Sequence, residues 1–195
     1  MRHSGNTTAP IESTNHGGDE EMPATRPVPC VTLLDAVGEE HRAGETIRFT
    51  SPGQSIFGRE SPDDLLTVGF ERCRPGFVER MGALRTPRLS REQARLDAGA
   101  DELEIENVGG AKMFVNGIKV TRARLQPGDV VEFEKCCSLL FTMAPAELPK
   151  LHVPYPAFPF GEADAFGIAG ESPAIWAVRA QLAALARLDT PVLVL

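Results

Sequence analysis

The chain has 195 residues, 42% of them hydrophobic, enough for one packed domain and part of another. A formal charge of −7 excludes general affinity for nucleic acid or an anionic membrane, so any anion site has to be local. No apolar run approaches the roughly 20 residues of a membrane span, and the N-terminus lacks the charged-then-apolar layout of a signal peptide. A cytoplasmic protein with no membrane partner and no direct nucleic-acid partner is expected.

Residues 1 to about 28 are rich in Ser, Thr, Asn, Gly and Pro and read as a disordered tail, because they offer too little apolar surface to offset the entropy of ordering. Met22 is an alternative start just before the ordered-looking part. From Pro29 the texture changes to short runs of β-formers separated by turn residues: "CVTLLDA", "ETIRFT", "QSIFG", "ELEIEN", "MFVNGIKV", "DVVEF" and "SLLFTM". Such spacing predicts an antiparallel β-sandwich over 29–144. Asn116-Gly117, between "MFV" and "IKV", predicts a type I′ hairpin, and Pro127-Gly128-Asp129 turns the chain into "VVEF".

The stretch "PRLSREQARL" (87–96) has two readings. Ser90 and Gln93 have capping-box spacing, which points to a helix. That helix would be shorter than two turns, with "DAGAD" and the alternating "ELEIEN" just beyond, so we read a loop tip entering a strand. Between Glu71 and Arg95 lie seven arginines against three glutamates, which is either a positive island or a solvated, arginine-preferring loop surface.

The four cysteines, Cys30, Cys73, Cys136 and Cys137, include no C-x-x-C pair, and the four histidines lack ligand spacing. Reduced structural thiols are expected, with no metal and no cofactor in this chain. From Pro145 to about Phe166 five prolines predict an extended linker. Beyond it, Ser172-Pro173 is an N-cap followed by proline at the first helical position, and Ile175, Val178, Leu182 and Leu185 form an apolar stripe. The helix runs to about Arg187, Asp189-Thr190-Pro191 breaks it, and "VLVL" opens like a strand buried on both faces. A second domain that stops on its first strand reads as a fragment, and its helix, lacking the sheet it would cover, is expected to be protease-sensitive from about residue 145 onward.

Three stretches, "FGRES" (57–61), "LSREQ" (89–93) and "ENVGGAKMFVNG" (106–117), with Leu125-Gln126-Pro127-Gly128-Asp129 after them, resemble the signature of forkhead-associated (FHA) domains. The resemblance implies an FHA-type antiparallel β-sandwich, not an enzyme, whose apical loops bind phosphothreonine peptides. It implies that Arg59 pairs with the phosphate, that Ser90 donates its hydroxyl to it with Arg91 beside them, and that Gly110 and Lys112 line the peptide. A phosphothreonine brings nearly two charges and three acceptor oxygens, which suit a planar guanidinium fork. Two departures stand out. Where many FHA domains carry Ser-x-Asn-Gly, this chain has Gly109-Gly110-Ala111-Lys112, so the asparagine that holds the peptide backbone is missing. The Arg59-to-Ser90 connection is also long, and its "GFERCRPGFVERMGALR" is expected to cover or extend the site.

Residues 166–195 resemble the opening of the AAA+ ATPase domain of sigma-54-dependent transcriptional activators, a truncated α/β segment over 167–195. That resemblance implies a bacterial parent in which ATP and Mg bind a phosphate loop whose place begins just after Leu195, and which engages sigma-54 RNA polymerase. The module would recognise a phosphothreonine protein or a Ser/Thr kinase. The rival reading is a degenerate FHA fold acting as a phosphate-independent structural or self-association domain.

Overall fold

Pro27 opens the first strand of two packed antiparallel sheets in the computed structural model, which describes residues 26–60, 67–148, 150–151 and 155–187. The strands are β1 (Pro27–Ala36), β2 (Thr46–Arg48), β3 (Gly53–Phe57), β4 (Phe70–Arg74), β5 (Phe77–Gly82) and β6 (Ala94–Ala98). They continue with β7 (Leu103–Asn107), β8 (Met113–Val115), β9 (Ile118–Val120), β10 (Arg122–Leu125), β11 (Val130–Phe133) and β12 (Cys137–Pro145). One sheet has the order β5-β4-β2-β1-β12-β11-β8-β9, and β10-β7-β6-β3 lies against it. The expected β-sandwich is therefore present.

Alternation builds the core. In β6 every second residue, Ala94, Leu96 and Ala98, is buried, and in β12 Cys137, Leu139 and Phe141 are. Phe57 stacks on Phe133 at 5.3 Å between ring centres and meets Phe70 edge-on at 6.3 Å, joining the two sheets. Asn116 and Gly117 have φ of 50° and 78°, the paired positive values that a type I′ turn requires. The Asn116 amide locks the neighbouring turn by donating to Asp129 Oδ1 at 2.7 Å and accepting from the Val130 amide at 2.9 Å. All four cysteines are free and buried, and burial raises the Cys30 thiol to about 11, so it stays protonated.

Two sequence expectations change here. The arginine-rich stretch after Gly69 is a regular hairpin, β4 with β5, paired Arg72 to Glu79 and Glu71 to Arg80, and it extends the edge of the larger sheet beyond β2. Beyond Pro145, the last residue of β12, the described residues of the proline-rich stretch form no strand, but they depart from a free linker by folding back onto that hairpin. Arg74 donates to the Phe158 carbonyl at 2.7 Å and to Pro159 at 3.1 Å, forms a close ion pair with Glu171, and lies 4.3 Å from the Phe158 ring centre.

Helix α1 (Pro173–Leu185) starts as expected, with the Ser172 side chain accepting from the Ile175 amide at 3.3 Å. Its inner face differs from the predicted stripe. Val178 and Leu182 are 43% and 42% exposed, whereas Trp176 and Arg179 are buried. Arg179 pairs with Asp164 at 2.9 Å, both side chains fully covered, and its remaining nitrogens donate to the Gly170 and Ile168 carbonyls. The break at 189–191, the "VLVL" run and residues 1–25 of the expected tail lie outside the described residues.

Asp164 carries a testable pH dependence. Burial alone would raise its carboxyl, but the Tyr155 hydroxyl, Arg179 and the Ile168 and Phe166 amides override it and hold it well below the carboxylate range. A folded pKa below the unfolded value of about 3.9 means the stabilisation is complete above that value and is lost as pH falls through the folded one. Emission from Trp176, the one tryptophan of the chain, should hold steady from pH 7 to 5 and move toward the exposed value only below about pH 4. A transition centred near neutrality would contradict this.

Candidate functional site

Three connections meet at one end of the sandwich: the turn after β3, the approach to β6 and the loop between β7 and β8. Backbone bonds pull the first two together, since the Arg59 amide donates to the Ser90 carbonyl and the Gln93 amide to Phe57, both at 2.9 Å. The approach is so close that only glycine fits at 58. A Cβ there would lie 1.8 Å from the Arg91 carbonyl oxygen. Gly109 is under the same constraint from the other side, its missing Cβ falling 2.7 Å from the Gln93 Cα. Gly58→Ala is thus expected to force the two loops apart and to destabilise the domain by about 1–3 kcal/mol, checked by denaturant unfolding; an unchanged midpoint would show that the loops separate freely.

Beneath the loops lies Gln93, which is 0% exposed. Its Oε1 accepts from the Ser90 amide at 3.2 Å and from Ala111 at 3.4 Å, while its Nε2 donates to Asn107 Oδ1 at 2.7 Å and to the Ala111 carbonyl at 3.0 Å. Asn107 Nδ2 donates to the same carbonyl at 2.9 Å. The return bond from Gln93 to the amide three residues earlier is the one a capping box makes, here closing a turn that enters β6. The strand reading of 87–96 therefore holds, and the capping-box spacing serves the loop. Gln93 and Asn107 went unrecognised as site residues, although the Ser90-to-Gln93 spacing was the signal.

The residues expected to bind phosphopeptide are placed as follows. Ser90 is half-buried, and its Oγ accepts from the Gly110 amide at 3.0 Å. A hydroxyl has one proton and two lone pairs, so this bond aims the oxygen and leaves its O–H free to donate. Arg59 is half-buried, Arg91 exposed, and among the described residues neither guanidinium has a hydrogen-bond or ion partner. Lys112 is instead committed to Glu134, at 3.1 Å. Of the island's other arginines, Arg72 pairs with Glu45, Arg74 with Glu171, Arg85 with Glu60 and Arg80 with Glu71, whereas Arg88 and Arg95, like Arg91, have no such partner among the described residues. Among the described residues, the positive charge without a partner at these two loops thus belongs to Arg59, Arg88 and Arg91.

Residues 56–134, from within β3 to just past β11, match the family profile described as FHA domain. This segment is an FHA domain. FHA domains generally bind phosphothreonine peptides and are binding modules rather than enzymes. The matched segment is less than half of the chain, and β1, β2 and β12 complete its sheets on either side. No curated protein matches the chain.

Similar solved structures include the FHA domain of a hypothetical protein from Arabidopsis thaliana, at 14% identity over 73% of this chain and 100% of that one, TM-score 0.44. The Slr1951 protein from Synechocystis is 17% identical over 60% of this chain and 96% of that one, TM-score 0.42. The yeast Dun1 FHA domain, solved with a doubly phosphorylated peptide derived from Rad53, is 16% identical over 84% of this chain and 99% of that one, TM-score 0.41. Among the described residues of the chain, no helix is long and apolar enough to cross a membrane, and no cluster of His, Cys, Asp and Glu could hold a metal.

Proposed function

We propose that this chain recognises phosphothreonine peptides through the loops at 58–60, 89–93 and 109–111. The supporting observation is the juxtaposition of an Arg59 guanidinium that has no partner among the described residues with a Ser90 hydroxyl whose proton is unspent, on two loops joined by the Arg59-to-Ser90 backbone bond. Arg59 supplies the bidentate charge, Ser90 one directional donor, and Arg91 a second cation at the rim. Gly110 holds Ser90 in place, since its amide is already bonded to that hydroxyl. With Lys112 paired to Glu134, its contribution to an anionic ligand is secondary.

The wider reading is that the module belongs to a bacterial sigma-54-dependent regulator, in which a mark written by a Ser/Thr kinase controls an ATPase that follows. It is supported by the resemblance of residues 166–195 and by the Ser172-capped helix at the place that resemblance requires. ATP, Mg and sigma-54 RNA polymerase would be partners of that whole protein. The rival, a phosphate-independent structural FHA fold, is favoured by the lack of an asparagine at 109–112. Pulldown with matched phosphothreonine and threonine peptide libraries separates the two: phosphate-dependent retention supports recognition, and equal retention or none supports the structural role.

A further inference from the structure

The β4–β5 hairpin touches the C-terminal segment at one end and feeds the apical loops at the other. At β4, Arg74 holds Glu171 and the Phe158 carbonyl, and Trp176 Nε1 donates to the same Glu171 carboxylate at 3.1 Å. Beside it the Arg72 guanidinium lies 4.9 Å from the Phe160 ring centre and bonds Glu45 at 3.1 Å. Glu45 in turn binds Arg42 at 2.7 Å, and Arg42 reaches the Gly82 and Ala83 carbonyls at the end of β5, at 2.8 and 3.0 Å. Arg42 also binds Glu39 at 2.9 Å, whose other oxygen accepts from the Arg85 and Thr86 amides at 2.6 and 2.9 Å. Arg85 pairs with Glu60, and the Glu60 amide donates to Leu84 at 2.7 Å, adjacent to Arg59.

The contacts are continuous from Phe160 to the residue next to the proposed phosphate ligand. Their central members have no freedom to rearrange singly. The side chains of Arg42 and Glu45 are 6% and 0% exposed, so breaking the ion pair between them leaves two buried charges short of their closest partner. The bonds around Arg42 and Glu45 reinforce one another in this low-dielectric setting, and the last link, Arg85 to Glu60, lies at the surface. We infer that this network couples the two ends: peptide binding at the apical loops and docking of the C-terminal segment on β4 favour each other. The inference rests on the proposed phosphothreonine reading. Coupling between sites is reciprocal, so releasing the segment weakens the peptide by the same factor that the peptide strengthens docking.

The full chain with a phosphothreonine peptide selected from the library tests this, with Trp176 as the reporter of docking. Arg74→Ala and Glu171→Gln break the same contact from opposite sides, the second without touching the sandwich. Both should red-shift Trp176 emission and weaken the peptide about fivefold, the low end of ordinary coupling. Saturating peptide should also slow proteolysis after residue 155 in the parent. If both variants release Trp176 yet bind the peptide as the parent does, the coupling is overturned while phosphothreonine recognition stands. If Trp176 emission changes in neither, Arg74 and Glu171 do not hold the segment, and the inference fails at its first link. If no peptide binds the parent, the proposed function fails and takes the coupling with it.

Discussion

Arg59→Ala should lower phosphothreonine-peptide affinity by about a hundredfold while leaving the melting temperature within a degree or two. Hydrogen bonds to charged groups contribute about 1.5–3 kcal/mol each, and a guanidinium can make two in parallel to one phosphate. Loss of about 2.7 kcal/mol is a hundredfold in Kd. Stability is spared because, among the described residues, the side chain has no partner to lose, and its backbone bond to Ser90 does not depend on the side chain. Arg59→Lys should recover only part of the loss, since an ammonium keeps the charge without the fork. Equal affinity in Arg59→Ala and the parent would move the phosphate elsewhere, with Arg91 the next candidate.

Gln93→Ala should be the most damaging single change among the uncharged polar side chains beneath the apical loops. It removes a fully buried side chain and strands the Ser90 amide, Asn107 Oδ1 and part of the bonding of Ala111. Unsatisfied buried groups cost roughly 1–3 kcal/mol each, and relaxation of exposed loops recovers some of that. A net loss of about 3 kcal/mol is expected, which for a domain of this size is a fall of roughly 10–20 °C in Tm. Gln93→Met keeps most of the volume and none of the bonds. If the amide bonds are what matter, it should fall nearly as far as the alanine variant, whereas near-parental stability would assign Gln93 a packing role only. Peptide binding should weaken in both, because Ser90 and Ala111 lose their common support.

Much of this was readable from residue order. The β-former runs gave the strands because one face of each is buried, and the Asn116-Gly117 turn was fixed by its need for two positive φ values. The β4–β5 hairpin was hidden for a physical reason. Its strands read "FERCR" and "FVERMG", whose charges carry no period-two apolar signal, and the complementarity of Arg72 with Glu79 and Glu71 with Arg80 emerges only once the register is known. The same holds for the C-terminal helix. An inward face made of Trp176 and Arg179 is invisible to a search for apolar stripes, because Arg179 is buried only through Asp164 and two carbonyls in the preceding loop. In the site itself the spacing of Arg59, Ser90 and Arg91 could be placed from the resemblance. The bonds of Gln93 to Asn107 and Ala111 join residues 14 and 18 positions apart, and the Ser90-to-Gln93 spacing was the one local signal of that network.

The most direct test of phosphothreonine recognition is amide chemical-shift mapping of the chain titrated with a phosphothreonine peptide and with its unphosphorylated counterpart. The phosphorylated peptide alone should move the amides of residues 58–60, 89–93 and 109–111, with Gly110 among the largest because its N–H bonds the Ser90 hydroxyl that the phosphate would engage. Shifts of equal size with both peptides, or shifts confined to other surfaces, would contradict a phosphate site at these loops.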